Sequence, residues 1–342
     1  MTDAVATEFV MTLERIVAAR ERLAGRVHRT PMLASSTAAR IARAGGAELA
    51  DGSLYAKAEH LQLTGSFKVR AARNRLAALG REERTAGVVT LSAGNAAQAY
   101  AWAGRDAGVR VTVVMPAAAV RSKVEACRGY GAEVILHGAH VGETWARVQE
   151  LVAERGLTLV HPFDDPDVIA GNGSVGLEIL EDVPDVDVVV VGVGGGGLIS
   201  GVASALKESR PAVRVYGVEP ERSNAVSVAL EAGRVVQIDP VSVADGLGAP
   251  FAGRWTLPLV QHYVDGIVLL DDPTILAGLV FAAERMKQVL EPAGAAALAA
   301  VLFGRIPLRS GDRVCVVLSG GNVAIERLGE FIGSAAPLPA VG

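Results

Sequence analysis

The 342-residue sequence has few of the features that mark several common protein classes. Its only two cysteines, Cys127 and Cys315, lie far apart and outside any CxxC or Cys/His spacing, which argues against a disulfide scaffold or a zinc site. The longest apolar runs, residues 186–193 and 293–303, are shorter than the ~20 residues of a membrane-spanning helix. Residues 1–4 do not begin a secretory signal, so we expect a cytoplasmic protein.

An excess of charge of one sign is also missing. The chain has 33 Lys and Arg against 37 Asp and Glu, a net charge of -4 without long runs of either sign. This balance gives no basic surface for nucleic acid and no patch for a membrane, so a small molecule is the expected partner. With 50% hydrophobic and 20% charged residues, the composition is typical of a soluble globular protein, and the length predicts about two domains.

Helical and strand patterns alternate along most of the chain. Predicted strands cover residues 54–57, 87–91, 109–115, 133–136, 186–193, 213–219, 266–270 and 313–319. Predicted helices cover residues 6–24, 68–79, 98–107, 121–130, 142–154, 172–182, 198–208, 273–289 and 292–302, and a frayed tail is expected over 334–342. Such alternation predicts βαβ units, and therefore an α/β fold with parallel sheets flanked by helices.

The most informative stretch is residues 64–68, Thr-Gly-Ser-Phe-Lys. A Gly-Ser turn and Phe67 precede Lys68, and a helix-favouring segment follows it, so Lys68 is expected at a helix N-terminus. The helix dipole disfavours a cation there, and Phe67 partly desolvates the amine, so both effects lower the pKa of Lys68. A neutral lysine is a nucleophile that can form a Schiff base.

Four consecutive glycines follow the apolar strand 186–193 and open the next helix; they are Gly194, Gly195, Gly196 and Gly197. Crowded backbone N–H groups at a helix N-terminus favour a phosphate. The spacing Gly192-x-Gly194-x-x-Gly197, with Glu219 ending the next strand, also satisfies a dinucleotide fingerprint and would indicate an NAD-dependent oxidoreductase. That alternative gives no role to Lys68, whereas a single phosphate group on one cofactor accounts for both loops.

Two further loops follow predicted parallel strands, at the strand ends where α/β sheets bind ligands. The first is Ser92, Ala93, Gly94 and Asn95, whose backbone amides can bind a carboxylate. Asn95 can bond a cofactor hydroxyl, or it can simply serve as the N-cap of the next helix. The second loop is Ser319-Gly320-Gly321-Asn322, which taken alone is typical of a turn.

The run that ends at Lys68 resembles the cofactor-lysine motif of the serine/threonine dehydratases, which are pyridoxal phosphate enzymes of fold type II. The motif Lys-x-Glu-x-x-Gln-x-Thr-Gly-Ser-Phe-Lys is matched at Lys57, Glu59, Gln62, Thr64, Gly65, Ser66, Phe67 and Lys68. The resemblance extends from about Arg29 to Asn322. It implies a two-domain fold like that of tryptophan synthase β, with the cofactor in the cleft between a large domain (1–86 and 165–342) and a small α/β domain (87–164).

The resemblance also implies roles for individual residues. Lys68 would hold pyridoxal 5'-phosphate beside Phe67 and then act as catalytic base, the four glycines would hold the phosphate, Asn95 the ring hydroxyl and Ser319 the ring nitrogen. Ser66 and residues 92–95 would bind the substrate. A neutral serine at the ring nitrogen makes a weaker electron sink than an aspartate, which favours loss of a β-substituent.

The expected reaction is dehydration and deamination of L-threonine or L-serine, giving 2-oxobutanoate or pyruvate and ammonia. Racemisation of an amino acid and dehydration of another β-hydroxy amino acid are the alternatives. Ala93 stands where serine racemases of this family have a serine, and Ala96 where the family usually has a histidine. A monovalent or divalent cation would use Glu219, although Ser223-Asn224-Ala225 lacks the carboxylate that relatives place there, and the favoured alternative is that Glu219 lies at the surface or caps a helix. We also expect a homodimer or homotetramer, and no C-terminal regulatory domain beyond Asn322.

Overall fold

The computed structural model describes residues 11–46 and 49–340, and within them the strands form two sheets. The larger sheet has six strands in the order β1 (Met32–Ser35), β2 (Leu54–Lys57), β10 (Val314–Val317), β7 (Val188–Gly192), β8 (Arg214–Pro220) and β9 (Gly266–Leu270). The smaller has four, in the order β5 (Glu133–Leu136), β4 (Val111–Met115), β3 (Val88–Leu91) and β6 (Thr158–Leu159). All ladders are parallel except that between β1 and β2.

Helices flank both sheets. They are α1 (Leu13–Leu23), α2 (Ser36–Ala44), α3 (Lys68–Ala77), α4 (Arg81–Ala86), α5 (Asn95–Ala107), α6 (Arg121–Gly129), α7 (Val141–Arg155), α8 (Pro166–Asp182), α9 (Gly197–Ser209), α10 (Ala225–Ala232), α11 (Thr256–Tyr263), α12 (Asp272–Phe281), α13 (Pro292–Leu302) and α14 (Ile325–Ser334). In the described parts of the chain, none of them has the length and apolar character needed to span a membrane. The predicted α/β fold with parallel sheets is confirmed.

Several predicted elements need correction. Helix α8 begins at Pro166 rather than at residue 172, because the Asp165 side chain caps the N–H groups of the first turn. The α-helix expected over 273–289 ends at Phe281 and continues as a single π-helical turn, which Lys287 closes with a φ of 60°. The prediction omitted β1, β6, α2, α4, α10, α11 and α14. Of the helix expected over 6–24, residues 6–10 lie outside the described chain, as do residues 341–342 of the predicted tail.

Strand β7 shows how the larger sheet is buried on both faces. Its valines are completely buried, and successive side chains enter opposite layers. Val188 and Val190 pack into one apolar cluster, which contains α12 and α13, while Val189 and Val191 pack into the other, which contains α8 and α9. A continuous apolar strand is therefore correctly interpreted as the centre of a parallel sheet.

Helix α3 packs against the core of the smaller sheet on one side and against helix α8 on another. Three of its apolar side chains pack into a core beneath the smaller sheet, namely those of Val69, Ala72 and Leu76. On another side, the Asn74 Nδ2 donates to the Asp167 carbonyl at 2.6 Å, and the Arg75 Nε donates to Asp165 at 2.8 Å. Because both partners lie at the start of α8, α3 is fixed to the larger sheet as well as to the smaller one.

The close contact between helices α8 and α9 depends on a glycine. A Cβ at Gly201 of α9 would lie 2.3 Å from the Ile169 carbonyl oxygen and 2.7 Å from the Gly173 nitrogen of α8. We predict that Gly201→Ala forces α8 and α9 apart and lowers the free energy of unfolding by about 1–3 kcal/mol. Gly329→Ala is the control, because Gly329 lies in α14 with open space around it; there alanine should add up to about 1 kcal/mol. Calorimetry of both variants tests this, and equal melting temperatures would contradict it.

Candidate active site

Lys68 is the first residue of α3, as the sequence predicted. Thr64 and Gly65 both have left-handed backbone conformations, with φ of 62° and 74°, and these reverse the chain before the helix. The Lys68 Nζ donates to the Pro162 carbonyl at 2.9 Å and lies 5.0 Å from the centre of the Phe67 ring. Burial lowers the pKa of Lys68 from its ordinary value to about 8, against the opposing effect of the Glu291 charge.

Three other residues of the motif make structural contacts. Gln62 pairs with the backbone of His28, accepting from its N–H at 2.9 Å and donating to its carbonyl at 2.7 Å. Lys57 and Glu59 are completely buried and take part in a cluster of ion pairs behind α3. The motif therefore combines one reactive amine with the contacts that support its loop.

The glycine turn joins β7 to α9. A Cβ at Gly195 would lie 2.3 Å from the Phe163 ring, and one at Gly196, whose φ is 89°, would lie 2.9 Å from Thr256. The Thr256 hydroxyl donates to the Gly195 carbonyl at 2.7 Å and fixes the turn. Among the described residues, the N–H groups of Gly194, Gly195 and Gly196 have no hydrogen-bond acceptor. Unpaired N–H groups at the N-terminus of a 13-residue helix suit an anion.

The loop after β3 opens helix α5. Gly94, not Asn95, is the N-cap of this helix, so the N-cap alternative for Asn95 is wrong. Ser92 accepts a hydrogen bond from the Gly94 N–H at 3.1 Å, and a Cβ at Gly94 would meet nothing within 4 Å. Ala93 is partly buried against the core of the smaller sheet, and Ala96 is buried. The backbone at Gly94 is therefore open to a ligand.

Asn95 is held by two residues to which the sequence analysis gave no role. Its Nδ2 donates to Glu291 at 2.6 Å, and its Oδ1 accepts from the Asn322 Nδ2 at 2.9 Å. Asn322 also donates to the Thr64 carbonyl at 2.7 Å. Both partners lie in segments that resemble the family, but only the fold shows that they meet Asn95.

Two serines bring the lysine loop against the end of β10. Ser66 pairs with Gly320 in an antiparallel bridge, and the Phe67 N–H donates to the Ser319 carbonyl at 3.1 Å. The Ser66 hydroxyl is buried without a partner, and the Ser319 hydroxyl has only a 3.5 Å contact with the Ala293 carbonyl. Buried hydroxyls left this poorly satisfied indicate a place where a ligand supplies the missing hydrogen bonds.

Glu291 is the acidic group of the site. Burial and the nearby Asp245 carboxylate raise the pKa of Glu291 to about 7, while the hydrogen bond from Asn95 lowers it. Asp245 itself pairs with Lys123 at 2.8 Å. Since Glu291 and Lys68 influence each other's pKa, the ionisation of the amine depends on the state of this carboxyl.

The histidines near the site make structural contacts. The His161 Nδ1 accepts from the Asp164 N–H at 2.8 Å, and burial together with the Lys68 and Arg254 charges lowers the pKa of His161 to about 3. The ring of His60 contacts Gln288 at 2.8 Å through its Nε2. Neither histidine is therefore placed to carry a proton for the reaction.

The surroundings of Glu219 are those of a helix-capping residue and not those of a metal ligand. Its carboxylate accepts hydrogen bonds from the Val226 N–H at 2.9 Å, the Ser227 N–H at 2.9 Å and the Ser227 hydroxyl at 2.6 Å, so it caps α10. Burial raises the pKa of Glu219 to about 7. Over residues 11–46 and 49–340, no group of three or more His, Cys, Asp or Glu side chains could hold a metal ion. The same contacts leave Glu219 unavailable for the ribose of a dinucleotide.

A cavity of about 590 Å³ lies apart from this site, between α4 and the end of α5. Arg81, Arg84 and Arg110 line it. The terminal nitrogens of Arg84 donate to the carbonyls of Leu76 and Ala107, which end α3 and α5. Since helix C-termini carry partial negative charge, Arg84 is explained by capping, as is Arg110, whose Nη2 donates to the Thr85 and Ala86 carbonyls at the end of α4.

The residues present fit pyridoxal phosphate. Lys68 supplies an amine that is neutral above about pH 8, the glycine turn offers free N–H groups for a phosphate, and Ser319 offers a hydroxyl that lacks a good partner. The Pro162–Phe163 segment links the first two, because Lys68 bonds its carbonyl and the Phe163 ring packs on Gly195. Chemically, the arrangement can hold an aldehyde that carries a phosphate.

Comparison with known proteins agrees with this fit. The model of a family described as pyridoxal-phosphate dependent enzyme matches residues 23–320. The chain is 42% identical over 324 residues to the L-threonine ammonia-lyase of Thermotoga maritima, covering 94% of this chain and 78% of the relative. It is 39% identical over 325 residues to the catabolic L-threonine dehydratase TdcB of Escherichia coli K12, covering 94% and 96%.

A solved structure shows the same architecture. The maize serine racemase superposes with a TM-score of 0.87 at 34% identity, covering 95% of this chain and 98% of the racemase. The resemblance inferred from residues 57–68 is thereby confirmed over most of the sequence. This chain belongs to the fold-type II pyridoxal-phosphate-dependent enzymes, in the serine/threonine dehydratase family, and pyridoxal phosphate is its cofactor.

Proposed function

We propose that this enzyme deaminates L-threonine to 2-oxobutanoate and L-serine to pyruvate: water is first eliminated from the amino acid, and a water molecule then hydrolyses the dehydrated product and releases ammonia. The observation that carries the proposal is the Lys68 amine, whose pKa of about 8 allows it to act as a base near neutral pH. The names of the relatives, L-threonine ammonia-lyase and L-threonine dehydratase, support threonine as a substrate.

The cofactor would be held at four places. Lys68 takes its aldehyde carbon, the N–H groups of Gly194–Gly197 take its phosphate, and Ser319 bonds its ring nitrogen. Asn95 bonds its ring hydroxyl through the Nδ2 hydrogen that Glu291 leaves free, and Phe67 lies beside the amine. When bound, pyridoxal phosphate supplies an electron sink for negative charge that develops at the substrate Cα.

The substrate would bind between the two loops that face this position. Its carboxylate would lie at the loop of residues 92–95, where Gly94 leaves space. The Ser92 and Gly94 N–H groups already bond the Val114 carbonyl and the Ser92 hydroxyl, so the donors would be the N–H groups of Ala93 and Asn95 and the unpaired hydroxyl of Ser66. These hydrogen bonds would orient the Cα–H bond of the substrate towards Lys68. The free Lys68 amine would take up the Cα proton, and that proton together with the β-hydroxyl would leave as water.

The sequence provides a reason to favour elimination over racemisation. Racemisation requires a second acid on the face of the substrate opposite Lys68, and Ala93, at the position where serine racemases of this family have a serine, has only a methyl group. The similarity to maize serine racemase therefore reflects the shared fold. Incubation with L-serine and chiral chromatography should reveal pyruvate and at most a trace of D-serine; D-serine as the main product would favour the racemase.

The domain boundaries, the localisation and the oligomeric state are part of the same proposal. The cofactor cleft would lie between a large domain of residues 1–86 and 165–342 and a small domain of residues 87–164, which contains every strand of the smaller sheet. We infer a cytoplasmic homodimer or homotetramer. Exposed apolar side chains support self-association, since Ile325 is 67% and Ile332 is 56% exposed on α14. Light scattering of the purified protein measures the oligomeric state.

The role of Lys68 is tested by its removal. Lys68→Ala should abolish formation of 2-oxobutanoate from threonine and remove the near-visible absorbance of the lysine-bound cofactor, because it removes the amine proposed to bind the cofactor and to act as base. Lys207→Ala is the control, since Lys207 pairs with Asp265 at 2.9 Å on the surface, and it should keep both properties. Retention of activity by Lys68→Ala would refute the assignment.

The pH dependence of the amine tests the electrostatics. In the apoprotein, the rate of acylation of Lys68, measured by mass spectrometry of its peptide, should rise with pH around a midpoint of about 8. Glu291→Gln should move this midpoint downward, because the carboxylate charge favours the protonated amine while the amide carries no charge. The midpoint of Lys207 in the same digests is the internal control, and an upward shift at Lys68 would contradict the account.

A further inference from the structure

A cluster of buried charges lies directly behind the first turn of α3. Arg70, two residues after Lys68, is 1% exposed, and its partner Glu59 is completely buried. The Arg70 guanidinium makes two forks: to Glu59 with both distances at 2.8 Å, and to Glu178 of α8 at 2.7 and 2.8 Å. Further bonds at 3.2 Å reach the Ser174 hydroxyl and the His28 carbonyl, so all sides of the guanidinium are used.

The same cluster ties three other parts of the chain to α3. The Lys57 Nζ, at the end of β2, bonds Glu178 at 2.8 Å and the Thr30 carbonyl at 2.8 Å. Thr30 in turn donates its hydroxyl to Glu59. Burial alone would raise the pKa of Glu59, but the charge and hydrogen bonds of Arg70 outweigh it and hold that pKa below its usual value. The cluster is therefore ionised as well as buried.

Stability by itself is a weak explanation for such a cluster. Removing charges from water is costly, and buried ion pairs replaced by apolar side chains of similar size often leave a protein equally stable. What two planar forks provide is direction, because each fixes the guanidinium in a plane. Among the described residues, Lys68 makes one side-chain hydrogen bond, to the Pro162 carbonyl, and its amine otherwise lies against the Phe67 ring.

We propose that Arg70 is a positioning residue for Lys68: its forks to Glu59 and Glu178 fix the rotation of the first turn of α3 and so the place of the reactive amine. The inference rests on the role of Lys68 proposed above. It also explains why Lys57 and Glu59, which do no chemistry, occur in one short motif with the lysine. The charges behind the helix and the amine in front of it form one unit.

The test compares Arg70→Lys with Arg75→Lys. Both retain the positive charge and lose a planar guanidinium, and Arg75 also joins α3 to α8, through Asp165 at 2.8 Å, but it lies farther along the helix from Lys68. Three quantities are measured for each protein: the melting temperature of the apoprotein, the dissociation constant for pyridoxal phosphate, and the acylation midpoint of Lys68.

We expect Arg70→Lys to weaken cofactor binding at least about tenfold and to move the Lys68 midpoint upward, because an amine that is no longer held in place reaches solvent. Arg75→Lys should change binding less than about threefold and leave the midpoint unchanged, even where its melting temperature falls as far. Changes of equal size in the two variants, or none in Arg70→Lys, would overturn the proposal.

A second variant covers the case in which Arg70→Lys fails to fold. Arg70→Met combined with Glu59→Gln removes one charge of each sign and leaves Lys57 paired with Glu178. The proposal expects weak cofactor binding and a raised midpoint here too, whereas unchanged values would refute it. A wild-type protein that binds no pyridoxal phosphate would instead refute the proposed function, while the midpoint of Lys68 in the apoprotein would still test Arg70.

Discussion

The site depends on one buried lysine amine whose pKa lies close to neutral pH. Burial provides the main effect, since it lowers the pKa of Lys68 to about 8 although the Glu291 carboxylate acts in the opposite direction. The pKa of Glu291 is raised to about 7, so near neutral pH the negative charge of Glu291 and the positive charge of Lys68 stabilise each other. Two groups whose pKa values lie this close to neutrality are suited to transferring a proton. The residues packed around them must keep both groups buried.

The fold satisfies this constraint by bringing strand ends together. The loops after β2, β3, β7 and β10 all follow the carboxyl ends of strands in the two sheets, and hydrogen bonds connect those after β2, β3 and β10. Asn322, after β10, bonds both Thr64 and Asn95, and Asn95 reaches Glu291. Each contact joins residues that are at least 196 positions apart, so the site exists only when both sheets have formed.

This distance explains what the sequence could and could not predict. The strand–glycine–helix unit at Gly194–Gly197 and the turn before Lys68 are local patterns, and both were predicted correctly. The partners of Asn95 and the role of Arg70 were not, because nothing in the local sequence specifies which distant side chain will face them. Short elements such as β6, with two residues, carry too little pattern to be recognised. The position of Glu219 in the sequence fits either a metal ligand or a helix cap, and only the fold shows that its hydrogen-bond donors lie on the following helix.

The most direct test of the account is to find where the cofactor is attached. The protein is saturated with pyridoxal phosphate and reduced with borohydride, which makes the bond between cofactor and lysine permanent, and its peptides are then examined by mass spectrometry. The account predicts the phosphopyridoxyl mass on Lys68. The same mass on Lys57, Lys123 or another lysine, or on no peptide at all, would contradict it.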